Sequence, residues 1–366
     1  MAKLLTPKIL VRGFEIFVLA SVVGFALTLI YGNNLGAFVT GLRNVHWIWL
    51  LAGMGLASMD WIGGGLRLWV VARQLMPKPS LKGMILAGGM SAWAAYITPL
   101  QSGAFPMMMY TMRRYGIPLP VAATCALMGF VGTVGFFAIA GPLAILAGAG
   151  HSLGTRGNVL GLSLYDLFLG SLTVFAGLGA LLVALMIFPN LVRKLLHRLA
   201  AWVGRRSTRF ARRVEGVQAG LDESHAHLVR LNSPRGWLSV LACIILSGPS
   251  HANKLLAGYV TLRAVGIHVN FVDVLLLQTL IAFLLYFAPT PGASGIAELM
   301  SAAVMSVYVP KAITPLYTLL WRLILSWYTV GAGFIVFTQW VRKGLKSIGA
   351  TDKSDQQGGV PEPVPS

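Results

Sequence analysis

This sequence predicts an all-α polytopic membrane protein, with about six full spans and two re-entrant helical hairpins arranged as an inverted repeat. Three observations predict it. First, 56% of the 366 residues are hydrophobic and only 11% are charged, with a mean hydropathy of +0.73. A soluble domain of that length cannot hide so much apolar surface. Second, two Pro/Gly-rich breaks lie within apolar sequence, Thr98-Pro99-Leu100-Gln101-Ser102-Gly103 and Ala288-Pro289-Thr290-Pro291-Gly292-Ala293-Ser294-Gly295-Ile296-Ala297-Glu298. At membrane depth, irregular backbone persists only where protein buries it or where it lines a wet cavity. Third, Thr98-Pro99-x-x-Ser102-Gly103 recurs as Thr290-Pro291-x-x-Ser294-Gly295 at an offset of 192 residues.

The elements follow in order. Lys3, Lys8 and Arg12 precede a first span, Phe14 to Tyr31. With no small-residue cleavage site evident, this run reads as a retained span rather than a signal peptide. Residues 33–44 read as a short outer loop, followed by Trp47 and Trp49 at the position of an interfacial aromatic belt. A second span runs to about Leu66, and Arg67, Arg73, Lys78 and Lys82 return it to the cytoplasm. The apolar arm 83–97, the first break, and a second arm ending at Arg113-Arg114 come next. That second arm has about ten residues, where a span needs about 20.

Further spans are expected from Leu119 to Leu146, Leu164 to Phe188 and Trp237 to Thr261. The arm Phe271 to Phe287 leads into the second break, a short helix reaches Val309, and a last span covers Ala312 to Trp340. The whole is a single membrane domain, residues 1–350, with halves at about 13–150 and 163–340. A basic cytoplasmic segment, 191–235, has apolar residues at the spacing of helices lying on the inner leaflet, and also reads as a solvated loop. The Pro/Gly-rich tail 351–366 reads as disordered.

Charge distribution favours hairpins. If both broken segments return to the side they came from, 23 of the 29 Lys and Arg fall inside. Arg43, Arg156, Arg263 and Lys311 fall outside, and Lys254 and Arg322 lie in the membrane. A single crossing of the first hairpin would instead send ten basic residues, Arg193 to Arg235, outside, against the positive-inside rule. Both termini are then cytoplasmic. The repeat extends beyond the breaks, since Pro118 matches Pro310 and Ala140-Gly141 matches Ala332-Gly333 at the same offset. Inverted repeats with broken helices at mid-membrane are a recurrent transporter architecture. The net charge of +18 is spread between apolar runs, which points to anionic headgroups and not to nucleic acid. Cys125 and Cys243 both fall within spans, away from any periplasmic disulfide or zinc site.

Candidate site residues gather at the breaks. Glu298 sits in the first turn after Gly295, and Arg322, about ten residues into the last span, is its natural partner at similar depth. An intramembrane ionisable group costs at least ~2.5 kcal/mol, so pairing or function is the default. The pair is either structural or opened by a headgroup or proton. Thr98, Gln101, Ser102, Thr290 and Ser294 offer hydroxyl, amide and freed backbone groups to a phosphate, or else satisfy the broken backbone. Pro99, Pro291, Gly103, Gly292 and Gly295 shape the turns. Asp60, too short to snorkel, faces a cavity, whereas snorkelling accounts for Lys254. His251 and Asn253 read as packed residues. There is no metal-spaced His/Cys/Asp cluster, P-loop or nucleophile elbow. No catalytic residue, metal or cofactor is expected.

Pro289-Thr290-Pro291-Gly292-x-Ser294-Gly295-x-x-Glu298, with Leu320-Trp321-Arg322-Leu323 and Tyr328, resembles the second-half signature of the lysylphosphatidylglycerol synthase transmembrane region family. Thr98-Pro99-Leu100-Gln101-Ser102-Gly103-x-x-Pro106, Tyr110 and Gly116-Ile117 resemble its first-half signature. The resemblance spans roughly Phe14 to Trp340. The chain departs from it at Gly103-Ala104 and Gly129-Phe130, where members carry Gly-Glu or Gly-Gly and an acidic-basic pair. The resemblance implies a flippase-like domain in a bacterial cytoplasmic membrane, moving an anionic or aminoacylated phospholipid between leaflets, with Tyr328 among the site residues. The soluble aminoacyltransferase domain fused to the best-known members is not expected here, and neither is enzyme activity. Two other classes remain open on the residues alone. One is a secondary transporter of a small anionic or polar solute, and the other is a non-transporting partner of a lipid-modifying enzyme.

Overall fold

The computed structural model describes residues 7–144, 162–187, 229–286 and 288–340, with a few positions between them. It is helical apart from a two-residue antiparallel pairing of Asn158–Val159 with Leu162–Ser163. The larger part of the basic segment 191–235, the loop carrying His151 and Arg156, and the tail 351–366 lie outside the described residues. Four helices among the described residues are long and apolar enough to cross a membrane: Leu10–Gly32, Leu119–Leu143, Pro234–Ala264 and Lys311–Trp340.

Helix α1 covers Pro7–Gly32. The stretch read as an outer loop is instead a short helix, α2, Leu35–Arg43. Its start is set by Asn34, whose Oδ1 accepts the Ala37 N–H at 2.8 Å, the bond an N-cap supplies to an orphan donor. Helix α3, Trp47–Leu75, is long enough to span but carries Asp60, Arg67 and Arg73. Its beginning lies beside the end of a later helix: His46 N–H donates to Ala264 O at 2.9 Å, and Arg263 stands 5.1 Å over the Trp49 ring.

Helix α4, Leu81–Tyr96, and α5, Ala104–Arg114, flank the first break and run antiparallel. Ser91 Oγ donates to Ala104 O near the break, and Gly83 abuts Tyr115 at the far end. Helix α6 spans Leu119–Ala144 and α7 spans Leu164–Ile187. The span expected over 237–261 is present as Pro234–Ala264, interrupted at His251 just after Pro249 into α8, Pro234–Ser250, and α9, Ala252–Ala264. A proline there removes a helical hydrogen bond, so the ladder breaks.

Helix α10, Phe271–Tyr286, and α11, Ile296–Met305, flank the second break and also run antiparallel, with Gln278 Nε2 donating to Met305 Sδ and Tyr308 OH to Asp273 Oδ2. The last long helix opens with α12, Thr314–Arg322, passes through a π turn over Leu323–Trp327, and resumes over 328–340.

Apolar packing is arranged around the two breaks. One core joins α9, α10, α11 and α12 through residues such as Leu277, Ile281, Tyr317 and Trp321. A second joins α3, α4, α5, α6 and α8 through Leu68, Met84, Met112 and Cys125. A third seats Phe17 of α1 with Trp93 of α4 and Ile97 just after it. Small residues let backbones approach, as membrane helices favour. A Cβ on Gly88 would lie 2.6 Å from Gly65 N, and one on Gly24 would lie 2.9 Å from Gly295 Cα. The second contact presses α1 directly onto the second break.

Candidate functional site

The second break is built around one buried ion pair. Pro291–Ala293 form a 3-10 turn, with Gly292 at φ 57° and Ala293 at φ 55°, and Gly295 follows at φ 82°. These left-handed values suit glycine best, because L side chains crowd the carbonyl there. The chain then enters α11, whose third residue is Glu298. Its Oε2 accepts the Gly295 N–H at 2.8 Å, and its Oε1 accepts Arg322 Nε at 2.9 Å. The remaining guanidinium donors go to Gly292 O at 3.3 Å, to Ser294 Oγ at 3.1 Å and to Ser21 Oγ at 3.4 Å. Phe17 lies beneath, its ring centre 5.5 Å from the Arg322 Cζ. Both charges are buried, Glu298 at 1% and Arg322 at 2% exposure. Every guanidinium nitrogen has a partner, and the arginine ties the break to α1, α11 and α12.

The first break repeats the 3-10 turn without the charge, and departs from the second at Gly103, which takes φ −77° where Gly295 takes 82°. Pro99–Gln101 form the matching 3-10 turn, with Leu100 at φ 51° and Gln101 at φ 55°. Residues 100 and 101 thus take the left-handed conformation of 292 and 293, at the offset of 192 residues. Here Thr98 holds the turn by itself: its hydroxyl donates to Ala94 O at 2.6 Å and accepts the Gly103 N–H at 2.8 Å. Thr290 instead donates to Ser294 O at 3.0 Å. Thr98, Thr290 and Ser294 therefore do satisfy the broken backbone or Arg322.

The two breaks meet, and between them lies a cavity with about 530 Å³ of empty space. Thr98, Gln101, Thr290, Gly292, Arg322 and Lys254 line it, among apolar residues that include Leu285, Trp321 and Leu325. Glu298 and Ser294 stand behind this wall. Pro291 and Gly103 are buried supports, while Pro99 and Ser102 are exposed outside the lining. Tyr328, just beyond the π turn, is half-buried and also outside it.

Asp60 belongs to a second polar cluster behind the same wall. It is 4% exposed. Its Oδ2 accepts Asn253 Nδ2 at 2.8 Å and Thr329 Oγ1 at 3.1 Å, and its Oδ1 lies 3.5 Å from Lys254 Nζ. Lys254 pairs within the protein rather than snorkelling to an interface, with its ammonium 5.9 Å from the Tyr96 ring centre. Leu325 O accepts both Asn253 Nδ2 at 3.1 Å and Tyr96 OH at 2.7 Å. This acceptor lies within the π turn.

Sequence reasoning missed Ser21, Thr329 and the role of Asn253. Ser21 had no signal beyond being polar in an apolar run. Asn253 had one, its place beside Lys254 just after Pro249. Arg67, read only as a basic flank, reaches inward: its Nη1 donates to Thr133 Oγ1 at 2.6 Å and Gly129 O at 3.2 Å.

A helical bundle with several membrane-crossing helices and buried ion pairs beneath an internal cavity defines a multi-pass membrane protein. The chain belongs to the Lysylphosphatidylglycerol synthase TM region family, whose model matches residues 14–333. It is thus a membrane protein related to lipid handling. None of the curated proteins matches it.

Proposed function

We propose that this protein moves a polar-headed, anionic or aminoacylated phospholipid between membrane leaflets, holding the headgroup between the two breaks. The observation that carries this reading is the orientation of two ion pairs. Lys254 and Arg322 line the cavity, while their partners Asp60 and Glu298 stand behind them. The wall therefore carries two cationic residues, Lys254 the more exposed and Arg322 with its nitrogens bonded within the protein, and no bare charge is left unneutralised in the membrane. Gln101 and the threonines add polar groups on the same wall, and the rest is apolar.

In this reading α4–α5 and α10–α11 are re-entrant hairpins, the two halves form an inverted repeat, and the fold has six full spans. Support comes from the shared left-handed backbone of the breaks and from second arms of 11 and 10 residues, where a span needs about 20. Inverted repeats place a substrate where the broken helices meet. The positive-inside rule supports cytoplasmic termini, and the family supports a bacterial inner membrane. The partners are membrane phospholipids, and no bond is made or broken.

Purified protein in liposomes should accelerate leaflet exchange of fluorescent phosphatidylglycerol over protein-free liposomes. Glu298→Gln should slow it by about tenfold or more, the factor that 1.4 kcal/mol represents. Rates equal to protein-free liposomes for phosphatidylglycerol, its lysyl ester and phosphatidylcholine alike would end the lipid reading. The same wall of Lys254, Arg322 and Gln101 suits a second reading, transport of a small anion. Efflux of an entrapped anion without lipid exchange would select it.

A further inference from the structure

We propose that Lys254 is the cation that contacts the ligand in this cavity, and that Asp60 is its resting counter-ion, exchanged for the phosphate of an incoming anion. This rests on the reading of the cavity as an anion site. The two cations on the wall are held very differently. The Arg322 side chain is 3% exposed, and its partner carboxylate closes to 2.9 Å. Its other nitrogens are spent on Gly292, Ser294 and Ser21. Recruiting it to a ligand would unlock the second break. The Lys254 side chain is 18% exposed, and its partner carboxylate stands at 3.5 Å. An ammonium is a point charge on a flexible stem and regroups its donors around a new oxygen with little rearrangement, which a planar guanidinium in a fixed fork does not.

Asp60 is built to survive the exchange. Its Oδ2 keeps the bonds from Asn253 and Thr329 when Lys254 turns away. Asn253 is itself anchored on Leu325 O, the same carbonyl that takes Tyr96 OH. The carboxylate is thus fixed by α3, α9 and the last helix, and the lysine is the partner that moves. A buried carboxylate stripped of all partners would be strongly destabilising, and this arrangement avoids that. The ligand chemistry is a phosphate anion, either the diester of a lipid headgroup or inorganic phosphate.

The test uses the full chain in detergent micelles, following tryptophan fluorescence, because Trp321 lines the cavity. The probes are dihexanoylphosphatidylglycerol and inorganic phosphate, with leaflet exchange of phosphatidylglycerol measured in parallel and thermal melting recorded for each variant. Lys254→Gln should weaken phosphatidylglycerol binding by about tenfold or more, as loss of a charge-assisted bond does. Lys254→Arg, which keeps the charge, should retain most of the binding. Asp60→Asn should tighten binding, because it removes an anionic competitor for the ammonium while leaving an acceptor for Asn253 and Thr329. That sign separates the proposal from a structural salt bridge, for which Asp60→Asn and Lys254→Gln weaken binding together; this result would overturn it. Wild-type exchange rates in Lys254→Gln would also overturn it and leave the lipid reading standing. If inorganic phosphate binds through Lys254 and the short-chain lipid does not, the lysine assignment holds and the lipid reading fails.

Discussion

The two breaks, Thr98–Gly103 and Thr290–Gly295, share a Thr-Pro-x-x-Ser-Gly pattern and a left-handed turn, and differ in what surrounds that turn. Both place a proline before two left-handed residues. In the second, those residues are Gly292 and Ala293, packed under Arg322 and against Phe17 and Tyr96. In the first they are Leu100 and Gln101, and Leu100 is 60% exposed. One tip is a buried, charge-locked hub, and the other is an open turn held by a single threonine hydroxyl. The same local conformation is therefore maintained by two kinds of force. Electrostatic locking is needed where neighbours press from every side, whereas one side-chain bond suffices at the open tip.

Breaking the charge lock should have the largest effect. Arg322→Gln leaves Glu298 buried without its counter-charge, a change that costs about 3–5 kcal/mol. A large drop in thermal midpoint in detergent should report it. The double variant Glu298→Gln with Arg322→Met should recover most of that loss, because neutral packing often replaces a buried pair at little cost. Gly292→Ala comes next. It forces a side chain into left-handed backbone, costing about 1–2 kcal/mol, and sets its Cβ 2.6 Å from Tyr96 O. Limited proteolysis should show the second break opening.

Thr98→Val should come third. It strands the buried Gly103 N–H, at about 1–3 kcal/mol, whereas Thr290→Val removes one weaker bond at about 1 kcal/mol. Equal losses from the two valine variants in a denaturant titration would contradict the proposed difference between the tips. Leu100→Gly should be the smallest change. Relief of left-handed strain offsets the entropy that glycine loses on folding, so the thermal midpoint should move little while Gly292→Ala moves it far.

Much of this was legible in the sequence. The breaks are visible because proline, glycine and hydroxyl residues cluster there and recur at one offset, and Glu298 with Arg322 because charge at that depth demands a partner. The α2 helix was not legible. Leu35-Gly36-Ala37-Phe38-Val39-Thr40-Gly41-Leu42-Arg43 is short, contains two glycines and has no buried residue, so local propensity points to a loop and only the Asn34 cap hints otherwise. The place of Asp60 was half legible. Its short side chain argued against snorkelling, but Asp60 lies behind the cavity wall instead of facing the cavity, and its partners sit 193 and 269 residues away, beyond the reach of any local pattern. Nothing in Leu323-Ile324-Leu325-Ser326-Trp327 distinguishes a π turn from an ordinary one.

That π turn amounts to one extra residue wound into the last helix, a phase shift between Arg322 on one side and Thr329 on the other. Deleting a single residue within 323–327 would restore regular winding and rotate everything beyond by about 100°, with a shift of about 1.5 Å along the axis. Thr329 would leave Asp60, and Phe337 would swing off Trp93, whose ring centre is 5.1 Å away. Length, more than composition, is therefore the constrained property of this stretch, and apolar substitutions there should be better tolerated than the loss of one residue.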